Sequence, residues 1–229
     1  VLVIYRGGCA INCRYCFRRH FPYQENTLTA RDIDGLVSYL KAHPEVNEVI
    51  LSGGDPLMAD DQALSGLFVR LESVSSIHRL RIHTRLPIVI PERVTDLLCQ
   101  AIATTALPVV MVLHSNHANE IDQSVMDAVS QLRAVCRSVL NQSVILKGIN
   151  DSADVLIALS ERLFEAGIDP YYLNVLDRVS GAHHFDVSDL EVAALHQALL
   201  NALPGYLVPK LVREVPGIGH KVQWKGTTH

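Results

Sequence analysis

Apolar and polar positions along the chain alternate between short apolar runs and longer stretches with helical spacing. Val1–Ile4 reads as an opening strand. Thr29–Ala42 then carries Ile33, Leu36, Val37 and Leu40 on one helical face and is stopped by Pro44. Glu48–Leu51 is the next strand, running into Ser52-Gly-Gly-Asp-Pro56, and Leu64, Leu67, Phe68 and Leu71 mark a second helix. Leu80–His83 is followed by a helix after Pro91, and the unbroken apolar run Val109–Leu113 by a helix from about Ile121 to Val135. Ser138–Leu146 precedes a helix that begins at Ser152 and is closed by Gly167, a residue suited to the left-handed turn that ends a helix. Tyr171–Leu176 is a sixth strand, and the capping box Ser188-Asp-Leu-Glu191 opens the helix after it.

Six strand–helix units with apolar, mostly non-alternating strands imply an α/β fold with a parallel sheet covered by helices. Six units fall short of a closed eight-unit barrel, so the expected form is a partial (β/α)6 TIM-like barrel, with a doubly wound open sheet as the alternative. The barrel is expected over residues 1–205 and a C-terminal extension over 206–229. The chain starts inside an apolar run without an initiating Met, which suggests an absent upstream segment. In either architecture chemistry gathers at the carboxyl ends of strands. The cysteine loop, Ser52–Asp55, His83–Arg85, His114–Glu120, Asn141–Ser143 and Asp177 all fall there.

Charge narrows the function classes. Twenty Lys and Arg against 24 Asp and Glu give a net charge of −4, too little positive charge for binding nucleic acid by phosphate neutralisation. No apolar run approaches the roughly 18 residues of a membrane span, and no signal peptide is visible. Three of the five cysteines, Cys9, Cys13 and Cys16, lie within eight residues, which reads as a metal site in a reducing, cytoplasmic compartment. Two metals suit that donor set. Zinc could complete a tetrahedron with His20, whereas three thiolates on a four-iron cluster leave one iron open to a small molecule.

Cys9-Ala-Ile-Asn-Cys13-Arg-Tyr-Cys16-Phe resembles the radical S-adenosylmethionine signature, including the aromatic residue before the third Cys. Cys16-Phe-Arg-Arg-His-Phe21, Ser52–Pro56, Asn116–Glu120, Asn141–Ser143 and Pro170-Tyr-Tyr172 further resemble the lysine 2,3-aminomutase family over essentially the whole chain. Phe17 and His20-Phe-Pro-Tyr23 look most like the branch that makes (R)-β-lysine for elongation factor P. The resemblance implies an isomerase that moves the lysine amino group from C2 to C3. It would use a 4Fe-4S cluster, S-adenosylmethionine and pyridoxal 5′-phosphate. The β-hydrogen of lysine is beyond any side-chain base, so a radical is required. The implied partners are L-lysine, a one-electron reductant protein, elongation factor P with its lysine ligase, and a second copy of the chain in a homo-oligomer.

Roles follow from the resemblance at matching positions. Cys9, Cys13 and Cys16 would ligate the cluster, while Gly53, Gly54, Asp55, His114 and Gln142 would contact S-adenosylmethionine. Arg18 would take the substrate carboxylate, and Asp177 with Glu214 the distal ammonium, Glu214 standing where free-lysine enzymes have Asp. Lys221, ending Pro216-Gly-Ile-Gly-His-Lys221, would bind the pyridoxal phosphate carbonyl, with Lys210 and Lys225 as fallbacks. Ser152 occupies the loop position where free-lysine enzymes carry a zinc-binding Cys, and no Cys follows Cys136, so no intersubunit zinc site is expected. The rival readings are another amino-acid 2,3-aminomutase and a non-catalytic zinc or iron–sulfur module.

Overall fold

The computed structural model describes residues 1–22, 28–215 and 217–224. Tyr23, Pro216 and Lys225, singled out above, lie outside them. The chain forms two compact units. The first comprises Val1–Ile11, Phe21–Leu113 and Ser124–Val139; the second comprises Asn12–His20, His114–Gln123 and Leu140–His229.

In the first unit four strands pair in parallel and in chain order: β1 (Leu2–Arg6), β2 (Glu48–Gly53), β3 (Arg79–Thr84) and β4 (Val109–Leu113). The register aligns Val3 with Leu51, Leu51 with Ile82, and Ile82 with Met111. Helices α1 (Ala30–Ala42), α2 (Asp61–Glu72), the one-turn α3 (Leu86–Val89), α4 (Asp96–Thr104) and most of α5 (Gln123–Val135) belong to this unit. Local chemistry sets their starts. Thr29 and Asp32 form a capping box, and Asp60 and Thr95 accept backbone N–H groups at the starts of α2 and α4. The predicted apolar face of α2, Leu64, Leu67, Phe68 and Leu71, is buried, as are Val49, Leu51, Leu80 and Ile82 of the strands. The helix expected after Pro91 begins later, because residues 91–93 form a single 3-10 turn before the Thr95 cap.

The second unit holds β5 (Ser138–Val144, its first two residues lying in the first unit), α6 (Ala153–Glu165), β6 (Asp169–Asn174), α7 (Asp189–Ala202), β7 (Lys210–Arg213) and β8 (Val222–Gln223). β5, β6 and β7 are parallel, and β8 returns antiparallel on β7. Ile145, Leu156, Leu173, Val192, Leu199 and Leu211 centre its core, with Trp224 packed against it.

Several strand bounds differ from the sequence reading: β1 runs Leu2–Arg6 rather than Val1–Ile4, β2 extends to Gly53, β3 gains a residue at each end and β6 ends at Asn174 rather than Leu176. Two further shifts have a visible cause. β5 stops at Val144 because Asn150 takes over the next groups, its Oδ1 accepting from Leu146 N–H (2.7 Å) and its Nδ2 donating to Val144 O (2.9 Å). β6 starts at Asp169, with Pro170 accommodated at a register shift where Asn141 pairs Pro170 and Gln142 pairs Tyr172. Among the described residues no helix is long and apolar enough to cross a membrane.

Candidate functional site

The turn after β2 is built by close backbone approach. Gly54 N–H donates to Arg6 O and Asp55 N–H to Gly8 O, both at 2.8 Å. A Cβ on Gly54 would stand 2.2 Å from Gly8 O, and one on Gly53, at φ +121°, 2.6 Å from Arg6 O. Only glycine fits both places. The two glycines therefore fix the segment that leads from β1 into Cys9, which is itself exposed.

Asp55 is buried, and its carboxylate is taken up by four donors. Oδ1 accepts from Leu57 N–H (3.0 Å) and the Thr84 hydroxyl (2.7 Å), and Oδ2 from Arg85 N–H (2.8 Å) and Leu86 N–H (3.2 Å). Burial pushes its carboxyl above the ordinary range, opposed by those hydrogen bonds. Asp55 thus ties the end of β2 to the end of β3, and what this turn can offer a ligand is backbone.

In the second unit Cys13 and Cys16 are half-buried on consecutive turns, Cys16 N–H donating to Cys13 O (3.1 Å) and Arg19 N–H to Cys16 O (3.3 Å). Three side chains fasten this loop. Tyr15 OH accepts from Asn116 Nδ2 at 2.7 Å, while its ring packs on Leu146, Leu176 and Phe185. The Arg14 guanidinium lies 5.3 Å from the Phe185 ring centre, with Nη2 at 3.4 Å from His184 Nε2. The Arg19 guanidinium lies against Gly181, at φ +80°, where a Cβ would be 2.7 Å from Nη1. Arg18 is half-buried, with its guanidinium 4.9 Å from the Phe17 ring centre. All five cysteines are thiols rather than disulfides. Among the described residues no three His, Cys, Asp or Glu side chains already stand together around one metal position.

His114 and Gln142, expected to contact S-adenosylmethionine, lie against each other, with Gln142 Nε2 3.1 Å from His114 Nε2. Gln142 Oε1 is buried and has no hydrogen-bond partner among the described residues, leaving an acceptor for a ligand N–H or O–H. Beneath them runs a polar network that the sequence reading did not assign. Asn141 Nδ2 donates to Ser115 O (3.0 Å) and Ser143 Oγ (2.8 Å), Ser143 Oγ donates to Ser115 O (2.8 Å), and Asn174 Nδ2 donates to Ser143 O (2.9 Å). Asn116 Oδ1 accepts from Val144 N–H (2.8 Å), so the residue that holds Tyr15 is itself held by β5. The sequence reading singles out Asn116–Glu120 and Asn141–Ser143 as segments but assigns Asn116, Asn141 and Ser143 no role.

The network ends at Lys221. β7 and β8 pair Val212 with Gln223 and Arg213 with Val222, and Glu214 and Lys221 are the residues that follow β7 and precede β8. Lys221 Nζ donates to Glu214 Oε1 (2.7 Å) and Asn174 Oδ1 (3.0 Å) and lies 5.9 Å from the Tyr172 ring centre. Asp177 belongs to the same cluster: burial raises its carboxyl first and the Glu214 charge raises it further, against the Lys221 charge. Lys210 is exposed on β7, and Ser152 caps α6 by accepting Val155 N–H.

The residues present suit the implied groups. Cys13 and Cys16 offer soft donors on a fastened turn, Gln142 Oε1 is an orphaned acceptor, and Lys221 is a partly exposed primary amine.

Residues 3–160 match the model of the radical SAM superfamily. The chain belongs to that superfamily. It is 53% identical over 221 residues to a Haemophilus influenzae protein named L-lysine 2,3-aminomutase, covering 96% of this chain and 65% of that protein. It is also 53% identical over 216 residues to the Escherichia coli protein of the same name (94% of this chain, 63% of that protein), and 33% identical to the Bacillus subtilis one (97% and 47%). The chain thus spans somewhat less than two thirds of the first two relatives. Among solved structures, Streptococcus suis SuiB bound to S-adenosylmethionine superposes with a TM-score of 0.64 at 18% identity, over 93% of this chain and 50% of that one. A structure of anSMEcpe with bound AdoMet gives 0.67 at 12% identity, over 87% and 58%. At those identities the shared property is the radical SAM fold.

Proposed function

We propose that this chain is the catalytic part of a radical S-adenosylmethionine isomerase that converts L-lysine to (R)-β-lysine for attachment to elongation factor P. The observation that carries the reading is the gathering of Glu214 and Asn174 around a primary ammonium, that of Lys221. A pocket that seats one alkylammonium has the chemistry to select lysine over an uncharged side chain. The superfamily membership and the 53% identity to proteins named L-lysine 2,3-aminomutase support the rest.

Cys9, Cys13 and Cys16 would hold the 4Fe-4S cluster, and Tyr15 and Asn116 would fix the loop that presents the last two. Gln142 Oε1 would accept from S-adenosylmethionine, with His114 holding the amide, and Gly53 and Gly54 would offer it backbone groups. Arg18 would take the lysine carboxylate through two parallel N–H bonds. Lys221 would bind pyridoxal phosphate, for which its ammonium must lose a proton. When bound, these groups supply a radical able to take an unactivated hydrogen and a π-system through which nitrogen moves. Ser152 in the loop before α6 supports the elongation factor P branch, and five thiols suit a cytoplasmic setting with a reductant protein.

The test is an anaerobic assay of the chain reconstituted with iron, sulfide, pyridoxal phosphate and S-adenosylmethionine, given dithionite and L-lysine. Chiral chromatography should show (R)-β-lysine, and Cys13→Ala should abolish it. A β-amino acid formed from another substrate but not from lysine would overturn the substrate assignment; none from any amino acid would overturn the function.

A further inference from the structure

Lys221 is placed as a ligand would be. Its Nζ meets a carboxylate of Glu214 that is half exposed, an amide oxygen of Asn174, and the face of Tyr172 at 5.9 Å. That is the set of partners an alkylammonium seeks: a counter-ion, a neutral acceptor and an aromatic ring. Asn174 cannot turn away freely, because its Nδ2 donates to Ser143 O at 2.9 Å. The Asp177 carboxyl is raised by burial first and by the Glu214 charge second, and lowered by the Lys221 charge. The seat therefore holds the Glu214 carboxylate, the Asn174 amide oxygen and, in this structure, one cation, which belongs to the chain itself.

We infer that Lys221 is an internal competitor for the seat of a ligand's terminal ammonium, holding Glu214 and Asn174 with its own Nζ until it is drawn away. The inference rests on the function proposed above, in which the same seat takes the distal ammonium of lysine. Condensation of the Lys221 ammonium with the aldehyde of pyridoxal phosphate would replace the C=O bond by one C=N bond and release one water, leaving one N–H on Nζ, or none once that proton also leaves. Nζ then keeps at most one N–H and can no longer donate to both Glu214 and Asn174. The seat opens when the lysine is engaged, so cofactor occupancy and ammonium binding rise together, and the chain without cofactor excludes amines that it could not process.

Calorimetric titration with 1-aminopentane, which carries the alkylammonium but no carboxylate, tests this on the cofactor-free chain. Lys221→Met should bind it about two- to fivefold tighter than the parent, the range a half-exposed ion pair carries. Lys221→Met combined with Glu214→Gln should lose that gain. Equal affinity in Lys221→Met and parent, or a gain that survives Glu214→Gln, would overturn the inference. Circular dichroism melting checks that the variants fold. If Lys221→Met does not fold, the parent is titrated with N,N-dimethylpentylamine, whose tertiary nitrogen cannot condense with an aldehyde, with and without saturating pyridoxal phosphate; tighter binding with the cofactor supports the competition and unchanged binding refutes it. None of these readouts needs turnover. A gain in affinity without β-lysine formation would keep the competition and sink the function, and turnover without the gain would do the reverse.

Discussion

Asp55 in the first unit and Glu214 in the second are both acidic residues at carboxyl ends of strands, and the fold uses them in opposite ways. Asp55 is buried, and its two oxygens accept four hydrogen bonds from the chain's own backbone and Thr84. Glu214 is exposed and meets one ammonium, on a lysine that a cross-strand register carries to it. A saturated carboxylate stabilises the ends of β2 and β3; an unsaturated one beside Asp177 and Asn174 has capacity left for a ligand. Residue type and strand position do not separate the two. The number of donors already satisfied does.

The largest expected effect comes from removing the saturated carboxylate. Asp55→Ala leaves Thr84 and the N–H groups of Leu57, Arg85 and Leu86 without their acceptor, and should destabilise the chain by more than about 3 kcal/mol in urea unfolding. A loss below about 1 kcal/mol would mean that Asp55 is not the brace described. Gly54→Ala should follow at roughly 1–3 kcal/mol, because its Cβ meets the Gly8 carbonyl rather than a yielding side chain. In the second unit Asn116→Leu takes the acceptor from the part-buried Val144 N–H and releases Tyr15, for about 1–3 kcal/mol, with a smaller loss in Tyr15→Phe. Equal losses in those two variants would show that Asn116 acts through the tyrosine hydroxyl alone.

The smallest effect is a pH dependence at Asp177. Its folded-state carboxyl is raised, chiefly by burial and then by Glu214, so the folded chain holds that proton more tightly than the unfolded chain. The parent therefore loses stability from this group as pH rises through the ordinary carboxylate range toward the raised value. Asp177→Asn should lack that decline, read as a flatter urea midpoint as pH rises from the ordinary carboxylate range. An identical profile in parent and variant would place Asp177 outside the charged cluster.

Much of the framework was legible because period and punctuation agree locally. Leu64, Leu67, Phe68 and Leu71 announce α2, and Ser188 with Glu191 announces the start of α7. What the sequence hid depends on tertiary partners. The acceptor role of Asp55 needs Thr84, Arg85 and Leu86, about thirty residues away in the chain. β7 and β8 are four and two residues long, too short for a period to register, yet they bring Glu214 to Lys221. Tyr15 was read as the aromatic of a cysteine signature, but its bond to Asn116 spans 101 positions and no local pattern carries it. The Lys221 cluster joins residues read separately as cofactor and substrate contacts, and only the structure shows that they already touch.

The most direct test of radical chemistry here is electron paramagnetic resonance of the anaerobically reconstituted, dithionite-reduced chain before and after adding S-adenosylmethionine. A reduced 4Fe-4S signal that changes shape when S-adenosylmethionine binds, and is missing in Cys13→Ala, is the expected result. A chain that takes up zinc but no iron, or an iron signal indifferent to S-adenosylmethionine, would contradict it.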